Sequence, residues 1–192
     1  MHAAFVRAAL ASVPLLLLAA TGVACQKTGS INPPRVAPGR TLESITVTSH
    51  AFGSGARLPI DYSCDGKDVT PDLTFSAPPP GTQSIVLVID DPDSPSGVFT
   101  HLLAYNLPAE FHSVPDSADL STLGARFGKN DFGNLRYNGP CPPKGEVHRY
   151  RFTALAVDRS TDFREGLTRP ELDAELDGHL LAEGTLLGTF SH

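Results

Sequence analysis

A single, mainly β domain is the fold class this sequence predicts, and three observations carry the prediction. Seventeen glycines and 17 prolines are spread along 192 residues, enough to punctuate many short elements with turns. Most apolar runs are short or alternate with polar residues, the two-residue period of a half-buried strand. Helical spacing stands out once, near the C-terminus. The length suits one domain with a substantial core, and a hydrophobic content of 41% is ordinary for a globular chain.

Residues 1–24 read as an export signal. Arg7 supplies a minimal positive start, and Ala8 to Ala20 form an apolar stretch shorter than the ~20 residues a spanning helix needs. Thr21-Gly22-Val23-Ala24 supply small residues for cleavage. Val23-Ala24-Cys25 resembles the end of a bacterial lipobox, with Gly22 where leucine is usual, so a lipidated Cys25 is expected as the mature N-terminus. The alternative is simple secretion with a free Cys25. The expected location is the bacterial cell envelope, membrane-anchored through lipid or, in the alternative, soluble in the periplasm or outside the cell. Residues 25–40, with three prolines and little apolar content, read as a flexible tether, and the domain is expected over 41–192.

Within the domain, Ser44 to Thr48 alternate as a strand does. Arg57 to Tyr62 lead into the turn-rich run Ser63 to Asp68. Leu73 and Phe75 mark a short strand ended by Pro78-Pro79-Pro80-Gly81. Ser84 to Asp90 (SIVLVID) is apolar on both faces, as for a strand in the middle of a sheet. Val98 to Asn106 and Val147 to Val157 are the other long strands. In extended conformation His148, Tyr150, Phe152, Ala154 and Ala156 share one face, a polar pair above an apolar column. Phe111 to Asp131 is irregular and polar. A helix begins at the capping box of Thr168 and Glu171; Leu172, Leu176 and Leu180 recur every fourth residue before Gly184 ends it. Leu186 to Phe190 read as a last short strand.

Removal of residues 1–24 takes one of 15 basic residues and none of 21 acidic ones, so the net charge goes from −6 to −7. Without a run of Lys or Arg, this balance argues against nucleic acid and against an anionic lipid surface as partners. Any anion must be held by a specific site, and contact with a membrane is expected only through a lipid anchor.

Two segments offer such a site. Asp91-Pro92-Asp93-Ser94-Pro95 leads to His101, and Gly139 to Gly145 (GPCPPKG) leads to His148 and Tyr150. Taken singly these are ordinary: D-P-D-S-P is a common turn, and one histidine in a strand is usually a packing residue. Brought together, two imidazoles, a phenol and loop amides would supply N–H and O–H donors to an oxyanion such as phosphate. Asp91 would then orient a histidine or meet an ammonium group on the ligand. Cys64 and Cys141 lie in turn-rich segments near this site, and in an exported domain they are expected to form a disulfide; the alternative is two buried thiols.

The run from Ile89 to Pro108 (DDPDSP, then His101, then YNLP) and the run from Gly128 to Asp158 resemble the two signature regions of the phosphatidylethanolamine-binding protein family, in its bacterial Raf kinase inhibitor-like branch. Tyr62 to Gly66, Val69 to Leu73 and Gly178 to Phe190 resemble further stretches, so the likeness covers Thr41 to Phe190. It implies a β-sandwich-like fold with a large antiparallel sheet and few short helices. It also implies that Asp91, Asp93, His101, Tyr137, Pro143, His148 and Tyr150 fall on ligand-pocket positions. Family members bind phospholipid headgroups, phosphate-like anions or nucleotides, and some inhibit kinases or serine proteases by contact. Phe190 departs from the pattern where a tyrosine is frequent, and the chain has no Trp.

The resulting expectation is a binding protein, with no chemistry of its own, no cofactor and no metal, whose ligand is a phosphate-type anion or a phospholipid headgroup. A protease or kinase inhibitor acting by protein contact is a competing reading, for which Phe111 to Lys129 is the long irregular segment available. A hydrolase built on the Asp/His/Tyr cluster is less well supported, because the sequence has no G-x-S-x-G or H-E-x-x-H motif and no nucleophile beside His101 or His148.

Overall fold

The computed structural model describes residues 33–192. The expected signal peptide, Cys25 and residues 25–32 lie outside the described residues. Residues 33–40 of the expected tether are held against the domain. Arg35 Nε donates to Asp177 Oδ1 at 2.8 Å, Val36 forms a parallel bridge with Leu180, and Ala37 N donates to Leu180 O at 2.9 Å. Main-chain pairing docks a segment whose side chains alone read as linker.

The strands are β1 (Glu43–Ser44), β2 (Val47–Thr48), β3 (Leu73–Phe75), β4 (Ser84–Asp91), β5 (Phe99–Pro108), β6 (Ser113–Val114), β7 (Arg126–Phe127), β8 (His148–Val157) and β9 (Leu180–Phe190). A six-stranded sheet runs β1-β9-β8-β4-β5-β7, and a three-stranded sheet β2-β3-β6 packs on it. Pairing is antiparallel except between β1 and β9, so the large sheet is mixed where an antiparallel one was expected. The single strand expected at 44–48 divides: β1 joins the large sheet and β2 the small one, with the turn of sheet at buried Ile45. Gly184 lies where β9 meets this crossing, and any side chain there would collide with the Ile45 carbonyl.

β4 is buried on both faces, as its unbroken apolar run requires. On one side Ile85, Leu87 and Ile89 join Phe152 and Ala154 of β8 and meet Val47 and Phe75 of the small sheet. Phe152 is fully buried, 5.2 Å between ring centroids from Phe52; its truncation to alanine would cost about 3–5 kcal/mol. On the other side Val86, Val88, Leu103, Leu155 and Val157 are covered by Leu172 and Leu176 of helix α1 (Arg169–Leu176).

The helix is shorter than its leucine spacing suggests. Glu171 accepts from Thr168 N at 2.8 Å, the expected start, but Asp177 is extended, Gly178 turns at φ 80°, and Leu180 opens β9. β8 offers a ladder from Val157 to His148, and pairing with it wins over helix extension. Leu180 still packs with Leu172 and Leu176, now from a strand. Arg57 forms a parallel bridge with Thr189, and Ile60–Tyr62 make a 3-10 turn that leads into the turns of 63–68. Among the described residues no helix is long and apolar enough to cross a membrane.

Candidate functional site

The open end of the large sheet, where β4 finishes and β8 begins, carries a cleft of about 190 Å³. Strand alternation sends Asp90 and Asp91 to opposite faces at the end of β4. Asp91, 4% exposed, faces the cleft; its Oδ1 accepts from Asp93 N at 2.8 Å, which closes the turn at Pro92. Its Oδ2 accepts from His148 Nδ1 at 2.7 Å, and His148 Nε2 donates to Glu146 Oε2 at 3.0 Å. A ring that donates from both nitrogens is an imidazolium. Burial works against that charge, but the carboxylates of Asp91 and Glu146 outweigh it and hold the His148 pKa above its ordinary value.

His101 reaches the cleft by a β-bulge. Ile89 pairs with Leu102 but Asp90 with Thr100, so His101 is an extra residue in β5. Strict alternation would set His101 opposite Leu102; the bulge turns both to the same side. There His101 stands edge-on to Tyr150, with ring centroids 5.3 Å apart, and to Phe132, also at 5.3 Å. Its Nδ1 donates to Asn138 O at 2.6 Å, which leaves Nε2 as an acceptor in the neutral ring. Burial pushes the His101 pKa below its ordinary value, against the pull of the Asn138 carbonyl and the Asp91 charge. The two rings therefore differ: both N–H groups of His148 are directed at carboxylates, and His101 keeps an Nε2 acceptor without a protein partner among the described residues.

The 139–145 loop is pinned from three directions. Buried Asn130 donates through Nδ2 to Asn138 Oδ1 at 2.9 Å and to His101 O at 3.2 Å. Cys64 N donates to Pro140 O at 3.1 Å, and Cys64 and Cys141 are joined by a disulfide, Cα atoms 5.5 Å apart, as expected. Gly139 passes so close to the Tyr62 carbonyl that no side chain fits there. The loop presents Cys141, Pro142 and Pro143 to the cleft.

Tyr150 is fully buried beside His101; its hydroxyl makes no hydrogen bond of normal geometry, although the Asp91 carboxylate and the Cys141 main chain lie close to it. Burial and the Asp91 charge raise its pKa far above the phenol range, so it stays a neutral donor. Among the described residues the other unpartnered buried side-chain atom is the Thr100 hydroxyl, which alternation places on the far side of β5.

Of the seven expected ligand residues, Asp91, His101, Pro143 and His148 line the cleft and Tyr150 lies against His101. The structure does not bring Asp93 and Tyr137 to the cleft wall. Asp93 is drawn outward by Arg149, accepting from Nε at 2.8 Å and Nη2 at 2.6 Å, and this pair lowers its pKa to about 2. Tyr137 donates to Tyr62 O at 2.8 Å and lines a separate cavity of about 250 Å³ with Leu102 and Arg136. Phe99, Phe132 and Glu146 belong to the site although the motifs did not single them out. Phe99 and Glu146 each sit two residues before a site histidine, a spacing that could have flagged them; Phe132 sits in a turn with no such signal.

A family model described as phosphatidylethanolamine-binding protein matches residues 48–191, from β2 past the end of β9. The chain belongs to the phosphatidylethanolamine-binding protein family. Among relatives, a UPF0098 protein of Pyrococcus abyssi is 34% identical over 183 residues, 93% of this chain and 96% of its own length. A UPF0098 protein of Chlamydia trachomatis is 36% identical, covering 75% of this chain and 97% of its own. The crystal structure of CT736 from Chlamydia trachomatis, titled a homologue of this family, superposes with a TM-score of 0.73 at 35% identity, over 78% of this chain and 99% of that one. Escherichia coli YbcL, titled a member of the mammalian family, gives 0.72 at 27% identity, over 78% and 99%. The mainly β fold is thus that of the family, and β4, β5, β8 and the 139–145 loop that frame the cleft all lie within the matched residues.

Proposed function

We propose that this protein binds phosphate-type oxyanions, free or as the headgroup of a phospholipid, in the cleft between Asp91, His101 and His148, and that it binds them without converting them. The observation that carries the reading is His148, a cleft-lining ring held charged by two carboxylates, two residues along β8 from the buried Tyr150 hydroxyl, which makes no hydrogen bond of normal geometry. A buried polar group left unpaired costs about 1–3 kcal/mol, and a ligand oxygen would remove that cost. The family's name supports the phosphorylated headgroup. Ser94, the serine on the cleft wall, shares its hydroxyl with Ser96 at 3.0 Å and not with either histidine, which supports binding over nucleophilic chemistry. The neutral His101 acceptor and the Asp91 carboxylate suit a ligand that also carries a proton or an ammonium group.

Calorimetric titration with phosphate and phosphoethanolamine tests this reading. His148→Ala is expected to weaken both ligands by about 1–3 kcal/mol, through the lost charged donor. Asp91→Asn is expected to hurt phosphoethanolamine more than phosphate. Equal affinities across wild type and both variants would move the site elsewhere.

The sequence of residues 1–25 supports an envelope location with acylated Cys25 as the anchor. Cys25→Ser is expected to shift the protein from the membrane to the soluble fraction; a wild type already soluble would remove the anchor from the account.

A further inference from the structure

Resting on the oxyanion reading, we propose that Glu146 is a tethered competitor for the ligand: its carboxylate occupies the His148 Nε2 donor that an incoming phosphate must take. His148 has two N–H groups, and Nδ1 is committed to Asp91 at 2.7 Å. The other donates to Glu146 Oε2 at 3.0 Å. The two carboxylates are not equivalent, because the side chain of Asp91 is 6% exposed and that of Glu146 is 53% exposed. Asp91 is fixed at the end of a buried strand and braced by Asp93 N, whereas Glu146 reaches the ring from a turn. Glu146 N donates to Pro143 O at 3.1 Å across Gly145, whose φ is 87°, so the main chain can stay in place while the side chain swings into water.

Charge makes the displacement obligatory. With Glu146 seated, one imidazolium faces two carboxylates, and a phosphate approaching Nε2 meets net negative charge. With Glu146 withdrawn, the same N–H is a charge-assisted donor on a ring that lines the cleft. A half-exposed carboxylate is rehydrated when it leaves, so the competition is modest and the site can be opened by ligand alone. Glu146 therefore sets a threshold: weakly held anions stay out, and oxyanions held by further groups of the cleft displace it.

The test is phosphate titration at pH 7, by calorimetry on the purified protein, of wild type, Glu146→Ala, Glu146→Gln and Glu165→Gln. The last removes the same charge from an exposed position beside Tyr105, on the other side of the sheet. The expected result is phosphate binding about 3- to 10-fold tighter in Glu146→Ala, a smaller gain in Glu146→Gln, and no gain in Glu165→Gln. Wild-type binding with no gain, or a loss, in Glu146→Ala overturns the competitor and leaves the cleft reading in place. An equal gain in Glu165→Gln also overturns it, since overall charge would then be the cause. Absence of phosphate binding in every protein, wild type included, overturns the cleft reading and this inference with it.

Discussion

Asp90 and Asp91 are neighbours on β4 and equally buried, at 3% and 4% exposure, yet their surroundings differ in kind. Asp90 faces the helix side of the sheet, where Arg151 Nε donates to it at 2.6 Å and Arg169 Nη1 at 3.2 Å. Arg169 is in turn held by Asp173 at 2.8 Å, so the charges on that face close on one another. Asp91 faces the cleft, where His148 is shared with a half-exposed glutamate, His101 keeps one nitrogen free of protein partners, and Tyr150 has none. Two identical side chains one residue apart thus separate two uses of a buried charge. A closed network fastens a helix to a sheet; an open one leaves polar groups for the ligand proposed above.

The contrast can be broken first at the covalent tie that holds the cleft loop. Replacing Cys64 and Cys141 by serine releases a link between residues 77 apart, which in the chain-entropy model removes about 4–5 kcal/mol of stability. Urea unfolding should show that loss, together with weaker phosphate binding as the 139–145 loop loosens. On the other face, Arg169→Met leaves Asp90 and Asp173 short of a partner and is expected to cost about 3 kcal/mol in the same assay with phosphate affinity unchanged. Loss of binding in Arg169→Met would mean that the two faces are not separate.

The two cleft histidines sharpen the comparison through pH. His148 has a raised pKa in the folded protein, so its contribution is fully present below the unfolded value of about 6.5 and is lost as pH rises through the folded value. His101 has a lowered pKa, so its neutral form is favoured above about 6.5 and stability is lost as pH falls from there toward the folded value. Urea midpoints between pH 5 and 8 should therefore change in opposite senses: His148→Gln removes a component that declines with rising pH, and His101→Gln one that declines with falling pH. Parallel profiles would contradict the assignment of one charged and one neutral ring.

Much of this arrangement was legible in the sequence, and the gaps have physical causes. Two-residue alternation in β8 gave the column of His148, Tyr150 and Phe152, and the apolar run of β4 gave a strand buried on both faces, because both patterns are local. The disulfide followed from two cysteines in turn-rich segments of a chain whose sequence reads as exported. The position of His101 was reached for an incomplete reason, since it depends on a bulge that appears only when β4 and β5 are paired. Leu180 was read as helix because i, i+4 spacing does not reveal that β8 offers a ten-residue ladder to the next segment. Asp93 and Tyr137 carry site chemistry in their side chains but are claimed by Arg149 and the Tyr62 carbonyl, partners far away in sequence. The spacing of Glu146 from His148 marks it as a neighbour of the site, but which nitrogen of the ring it covers depends on the fold.

The most direct test of the open network is Tyr150→Phe, read for stability and binding in the same preparation. The account predicts an unfolding free energy at or above that of wild type, by up to about 1–3 kcal/mol, since a hydroxyl buried without a hydrogen bond carries a desolvation cost that phenylalanine lacks, together with phosphate binding weakened by about 1 kcal/mol or more. A variant destabilised as though a buried hydrogen bond had been lost, with phosphate affinity unchanged, would show that the hydroxyl serves the fold and that no ligand completes the cleft there.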